Sequence, residues 1–151
     1  IFIHGALCIS YSGCCLMSYL GGGRSGNRGE CTGCCRLPYK LIENNKEHKA
    51  NGEYLISTKE LNTSKRIKEI MDSNIVSLKI EGRMKSPEYV GFITKYYRNI
   101  IDGKKITEED EKKLSLLFNR DFTEGYLFNE NNITNIKTSN HQGIVIGKII
   151  E

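Results

Sequence analysis

Six cysteines crowded into the first 35 residues constrain this chain more than any other feature. They stand at positions 8, 14, 15, 31, 34 and 35, and residues 37–151 contain none. Thiols gathered this way either cross-link or hold a metal. Disulfide scaffolds spread their cysteines along a short secreted chain. Here a long lysine-rich remainder follows and no signal peptide is recognisable. Adjacent pairs such as Cys14–Cys15 are also awkward for simple bridges. Metal binding is the favoured reading, with disulfides or plain reduced thiols as the alternatives. Taking Cys8, Cys15, Cys31 and Cys35 gives the spacing C-x6-C-x15-C-x3-C. A C-x3-C pair departs from the C-x2-C of zinc ribbons and tilts the choice toward an iron–sulfur centre. Cys14 and Cys34 adjoin two of these positions, so spacing alone does not select the four ligands.

The loop between the cysteine pairs, residues 21–29, reads GGGRSGNRG. Glycine at this density lets backbone approach a cluster or a phosphate closely. The Lys-Ser/Thr ending of a nucleotide P-loop is missing. Arg24 and Arg28 argue against a purely passive linker. Residues 1–40 carry Arg24, Arg28, Arg36 and Lys40 against Glu30 alone, a local charge of +3, while the remainder is close to balance. Such a field beside the loop suits an RNA backbone or a small anionic metabolite; ordinary solvated side chains are the alternative. No apolar stretch approaches the ~20 residues of a membrane span, and unbridged cysteines favour the cytoplasm.

Ile1 to His4 reads as a buried strand ending at Gly5. Residues 41–53 are polar and unpatterned, a surface connection in which His48 is solvated. Ser57 with Glu60 three residues on reads as a capping box opening a helix through Leu61, Ile67, Ile70 and Met71. Residues 75–81 alternate with period two, Val76, Leu78 and Ile80 against Ser77, Lys79 and Glu81, as a strand does. Ser86-Pro87-Glu88 is a strong helix start, and Tyr89, Val90, Ile93, Tyr97, Ile100 and Ile101 follow at helical spacing up to Gly103. A second helix starts at Thr107, with Asp110 three residues on. Residues 119–128 are turn-rich, and 143–150 read as a strand.

Several motifs resemble the collagenase-like peptidase U32 family. They are His4-Gly5-Ala6-Leu7-Cys8, Ser12-Gly13 followed by Cys15, Gly23-Arg24 with Asn27 and Gly29, and Cys31 with Cys35. The likeness continues at Leu78-Lys79-Ile80-Glu81-Gly82-Arg83 with Ser86-Pro87-Glu88-Tyr89, and again at Phe118-Asn119-Arg120, Phe122-Thr123 and Gly125-Tyr126. The motifs keep the family's order over nearly the whole chain. Cys14, where relatives commonly carry arginine or glutamine, and Asp121, in place of a common glycine, depart from the pattern.

The resemblance implies an α/β fold, the C-terminal part of a β/α (TIM-like) barrel with an iron–sulfur-binding cysteine loop, followed by the start of a small β domain. On that view residues 1–105 are the last strands and helices of the barrel, 106–135 a helix and linker, and 136–151 the beginning of the β domain. The chain, which opens inside the apolar run Ile1-Phe2-Ile3, then reads as a fragment whose barrel is closed by an N-terminal part. The resemblance further implies a [4Fe-4S] cluster on Cys8, Cys15, Cys31 and Cys35. Family members hydroxylate a tRNA wobble uridine or a cytidine of 23S ribosomal RNA, with prephenate as the expected oxygen donor, and others serve ubiquinone hydroxylation. Active sites of such barrels lie at the C-terminal ends of strands. That places His4, Glu81 and Arg83 as catalytic candidates, and Arg24, Arg28, Lys79 and Arg120 as contacts to substrate. Two other functions compete: a collagenase-like peptidase, in which Cys8 or Cys15 with His4 is the one conceivable nucleophile–base pair, and a non-enzymatic metal-containing RNA-binding module.

Overall fold

The structure is a computed structural model that describes residues 1–11 and 14–150. The Ser12-Gly13 motif and Glu151 lie outside the described residues. A four-stranded sheet carries helices on a mixed α/β plan. Its strands are β1 (Phe2–Ala6), β4 (Glu60–Asn62), β5 (Lys79–Ile80) and β6 (Phe122–Thr123), in the order β5-β1-β4-β6. Between β1 and β4 come α1 (Leu16–Gly22) and a small hairpin of β2 (Leu41–Glu43) with β3 (Lys46–His48). The helices α2 (Ile67–Asp72), α3 (Pro87–Ile101) and α4 (Glu108–Leu116) follow β4 and β5. β1 runs parallel to β5 and antiparallel to β4, and β4 runs parallel to β6.

Gly5 lets β1 and β5 meet. Its φ is +116°, and a Cβ there would stand 2.5 Å from the Glu81 carbonyl oxygen. Only glycine takes this backbone at this approach. The end of β1 is therefore held against Glu81, at the point where the chain turns into the cysteine segment.

α3 is the centre of the core. Ser86 caps it, accepting from Tyr89 N, and Pro87 occupies its first turn. Tyr89, Ile93, Tyr96 and Tyr97 fall at the spacing that lines one helix face. All four are buried, against Ile3 of β1, Ile67 and Ile70 of α2 and Leu114 of α4. Each buried isoleucine contributes about 1.5–3 kcal/mol by leaving water. α4 starts at the expected capping box of Thr107 and Asp110, with both reciprocal hydrogen bonds formed.

Four expectations are corrected. Ser57 and Glu60 do not open a helix: Glu60 lies in β4, a 3-10 turn occupies Ser64–Arg66, and α2 begins at Ile67. The side chains of Ser57 and Glu60 are taken by distant arginines rather than by a local helix end. The strand of residues 75–81 shrinks to Lys79–Ile80, and Val76 is fully exposed. Residues 41–53 contain a hairpin, because Asn44 and Asn45 both take positive φ (50° and 61°) and supply its two-residue turn. Residues 143–150 form no strand. With no partner strand among the described residues, Val145, Ile146, Ile149 and Ile150 remain exposed.

Candidate functional site

The cysteines sit just beyond the C-terminal end of β1, on short turns joined by the glycine loop. All six are free thiols. Cys15 caps α1, its Sγ accepting from Ser18 N at 3.4 Å. That N–H, helped in smaller measure by Cys34, lowers the Cys15 pKa from its ordinary value. Cys31 Sγ accepts from Gly33 N at 3.4 Å. Gly33, at positive φ, turns the chain into the 3-10 turn Cys34–Arg36. Burial pushes the Cys35 thiol up, Arg36 opposes this, and the charges of Cys31, Cys8 and Cys34 add to it. Ser18 Oγ lies 3.0 Å from Thr32 Oγ1 and accepts from Thr32 N at 3.3 Å, which ties the helix capped by Cys15 to the segment of Cys31. Cys14 is exposed and lines a shallow cleft with Cys15, Tyr19 and Arg24.

The donor set suits an iron–sulfur centre: soft thiols, unbridged, on segments that meet at one rim. Among the described residues, however, no three or more Cys, His, Asp or Glu side chains stand in an arrangement that would hold a metal ion.

Arg36 ties this rim together, a role that sequence reading missed by counting it only as charge. Its Nη1 donates to Ser57 Oγ at 3.0 Å and to the Thr58 carbonyl. Its Nη2 donates to the Leu7 carbonyl at 3.1 Å and to Thr58 Oγ1 at 2.8 Å. Leu7 precedes Cys8 and Arg36 follows Cys35, so one guanidinium fixes two thiol-bearing segments to the approach of β4. The position next to Cys35 was the available signal.

A second polar group lies behind the rim. Glu60, fully buried, accepts from Arg120 Nη1. Arg120 also donates through Nε to the Ser139 carbonyl at 2.6 Å and lies over the Phe118 ring. Lys85 is half-buried, its Nζ 3.2 Å from the Phe118 ring centre and 5.4 Å from that of Tyr89. Burial depresses the Lys85 pKa, Arg120 and Arg36 depress it further, and Glu60 and Glu81 pull the other way. Asp121, where the family pattern has glycine, takes φ +74° and pairs with Lys59 at 3.3 Å. A left-handed backbone explains why glycine suits that position.

The sequence candidates separate into three groups. Glu81 and Arg83 stand at the rim: Glu81 Oε1 accepts from Arg83 N at 2.8 Å, and Arg83 Nη2 donates to the Gly29 carbonyl in the cysteine loop. Arg24 and Arg28 are exposed on that loop, and Lys79 is exposed with its Nζ 4.4 Å from the Phe2 ring centre. His4 lies in the core, 1% exposed. Its Nδ1 is 3.3 Å from the Tyr97 hydroxyl, and the rings of Tyr89 and Phe122 flank it. Desolvation lowers its pKa from 6.5 to about 4, so it is neutral at pH 7. Among the described residues, no helix is long and apolar enough to cross a membrane.

Sequence comparison gives the family of this chain. The model of Peptidase family U32 matches residues 1–137, so the chain belongs to that family. Over 156 aligned positions it is 38% identical to tRNA hydroxylation protein P of Helicobacter pylori, covering 94% of this chain and 37% of that protein. It is 43% identical over 102 residues to a 23S rRNA 5-hydroxycytidine synthase of Escherichia coli, covering 68% of this chain and 16% of the relative. A protein of Porphyromonas gingivalis named collagenase is 37% identical over 134 residues, 83% of this chain and 37% of the relative. The chain thus spans little more than a third of the length of these relatives, or less. No solved structure matches.

Proposed function

We propose that this chain is the thiol-bearing part of an RNA base hydroxylation enzyme, acting on a tRNA wobble uridine or a 23S rRNA cytidine. The observation that carries the reading is the Arg36 clamp, which fixes the segments bearing Cys8 and Cys35 to each other in a chain whose relatives include RNA hydroxylation proteins. Cys8, Cys15, Cys31 and Cys35 would hold a [4Fe-4S] cluster, with Cys14 and Cys34 as the alternatives to their neighbours. When bound, the cluster supplies electron-transfer or Lewis-acid chemistry at the rim. Arg24, Arg28 and Lys79 supply positive charge for the RNA backbone, which confers affinity without sequence preference. Arg83, whose Nη2 bonds the Gly29 carbonyl, is the residue we assign to a substrate phosphate or carboxylate. Glu81, which accepts from the Arg83 backbone N–H, is the carboxylate we assign to moving a proton at the rim. Prephenate is the proposed oxygen donor and the cytoplasm the proposed compartment. The parallel β1–β5 pair is what two successive strands of a β/α barrel would contribute.

The collagenase-named relative keeps a peptidase as the second reading. A thiol peptidase needs its sulfur hydrogen-bonded to a base. His4 faces Tyr97 and the aromatic core instead, which disfavours a Cys–His pair. Nucleoside mass spectrometry of tRNA and rRNA from a deletion strain tests the proposal. Loss of 5-hydroxyuridine-derived or 5-hydroxycytidine nucleosides, restored by the wild-type gene, is expected; unchanged nucleosides in both RNAs would contradict it.

A further inference from the structure

The helix α1 leaves most of its apolar surface uncovered. Leu16, Tyr19 and Leu20, at i, i+3 and i+4, share one helix face, and they are 70%, 64% and 80% exposed. Polar contacts hold this helix instead: Cys15 caps its start, the buried Ser18 meets Thr32, and Gly23 closes its end in a left-handed turn. In that turn Gly23 N donates to the Tyr19 carbonyl at 2.7 Å and Arg24 N to the Ser18 carbonyl at 3.2 Å. The chain is folded back by these bonds, and Arg24, Ser25 and Asn27 line one cleft with Leu16 and Tyr19. Its volume of about 210 Å³ falls below the roughly 300–1,000 Å³ of a pocket that encloses a small molecule. A flat ring, a guanidinium and an amide that both donates and accepts suit a planar base that stays attached to its strand. Unstacked RNA bases are held in this way, on aromatic rings and arginine planes and through their hydrogen-bonding edges. The charge agrees: Arg24, Arg28, Arg36 and Lys40 against Glu30 alone give residues 1–40 a charge of +3, which favours a polyanion over an apolar protein partner.

We propose that the Leu16–Tyr19–Leu20 face of α1 is the platform on which one unpaired base of a single-stranded RNA stacks. The Tyr19 ring takes the face of the base, the Asn27 amide meets its edge, and Arg24 takes the adjoining phosphate. Leu16 and Leu20 extend the apolar surface on either side of the ring. The platform rests on the reading that this chain acts on RNA, and it adds the surface that separates an unpaired strand from a duplex, whose bases are stacked away inside the A-form helix. Cys15 lines the same cleft, so the stacked base lies beside the thiol-bearing segment.

The test is fluorescence anisotropy of the anaerobically purified full-length protein with two fluorescein-labelled RNAs, an unstructured single strand of mixed sequence and a blunt duplex of the same length. Wild type is expected to bind the single strand more tightly. Tyr19→Ala should weaken the single strand about tenfold, as when one stacked base is lost, and leave the duplex unchanged. Tyr19→Phe keeps the ring and should bind the single strand as wild type does. Arg24→Gln should weaken the single strand and lower the slope of log affinity against log salt by roughly 0.7, one phosphate contact. Y19A binding the single strand as wild type does, or Y19F binding it as weakly as Y19A, would overturn the platform. A lower thermal midpoint in Y19A with unchanged RNA affinity would also overturn it, since the face is then packed against another part of the full-length chain. Wild type that does not bind the single strand overturns it as well. The two readings fail separately. Unchanged nucleosides in the deletion strain with a Y19A-sensitive single strand leave the platform standing and remove hydroxylation, while lost nucleosides with a Y19A-insensitive strand do the reverse.

Discussion

Around α3 the chain is held by apolar enclosure, with Ile93 wholly buried among Ile3, Ile67, Tyr97 and Leu114. At the cysteine rim the work is done by one guanidinium, Arg36, bonded to the backbone or side chains of Leu7, Ser57 and Thr58. Apolar packing is non-directional and tolerates small adjustments. Hydrogen bonds from a planar guanidinium fix direction as well as distance. A core of the first kind supplies stability, and a rim of the second kind supplies placement of reactive groups. The two should therefore respond differently to mutation.

The largest separation is expected from Ile93→Ala, which empties the centre of the core and should cost about 3 kcal/mol. Denaturant unfolding would measure it, and the native-state rates of thiol labelling should stay near wild type. Acid probes the core through His4. Its pKa is about 4 in the folded chain against 6.5 unfolded, so below pH 6.5 the unfolded chain binds the extra proton. Stability should be full above about pH 6.5 and fall by up to about 3 kcal/mol as the pH drops toward 4. A His4→Gln variant should flatten that part of the profile.

Arg36→Gln reverses the pattern. Losing charge-assisted hydrogen bonds should cost about 2 kcal/mol, yet the larger effect should be on the thiols. Cadmium titration of the metal-free protein, followed by the thiolate charge-transfer band, should show affinity lowered at least about tenfold. Unchanged cadmium affinity would remove Arg36 from the site. The smallest effect is expected from Ser86→Ala, which deletes the α3 cap and should cost about 1 kcal/mol without altering cadmium binding.

Legibility follows the same division. α3 and α4 could be read because their caps and periodic apolar faces are local features: Ser86-Pro87-Glu88 and Thr107 with Asp110 act within one turn. The buried polar residues could not be read that way. Ser57 and Glu60 have the spacing of a capping box, but their partners, Arg36 and Arg120, lie 21 and 60 residues away. No local rule sees such a pair. Asn44-Asn45 was a hairpin turn hidden in a polar stretch, because its flanking strands are exposed on both faces. Tyr89 was legible only as one apolar position of the α3 face, since its unpartnered hydroxyl is visible only once the chain is folded. The family resemblance named the cysteines and the rim residues, while the clamp and the exposed face of α1 came from the structure.

The central claim is that the thiols on these segments hold an iron–sulfur cluster, and it is tested most directly by iron and acid-labile sulfide analysis of the full-length protein purified without oxygen. About four irons and four sulfides per chain are expected, falling sharply when Cys8 or Cys31 is replaced by serine. A preparation free of both iron and sulfide, with all six thiols still titratable, would contradict it.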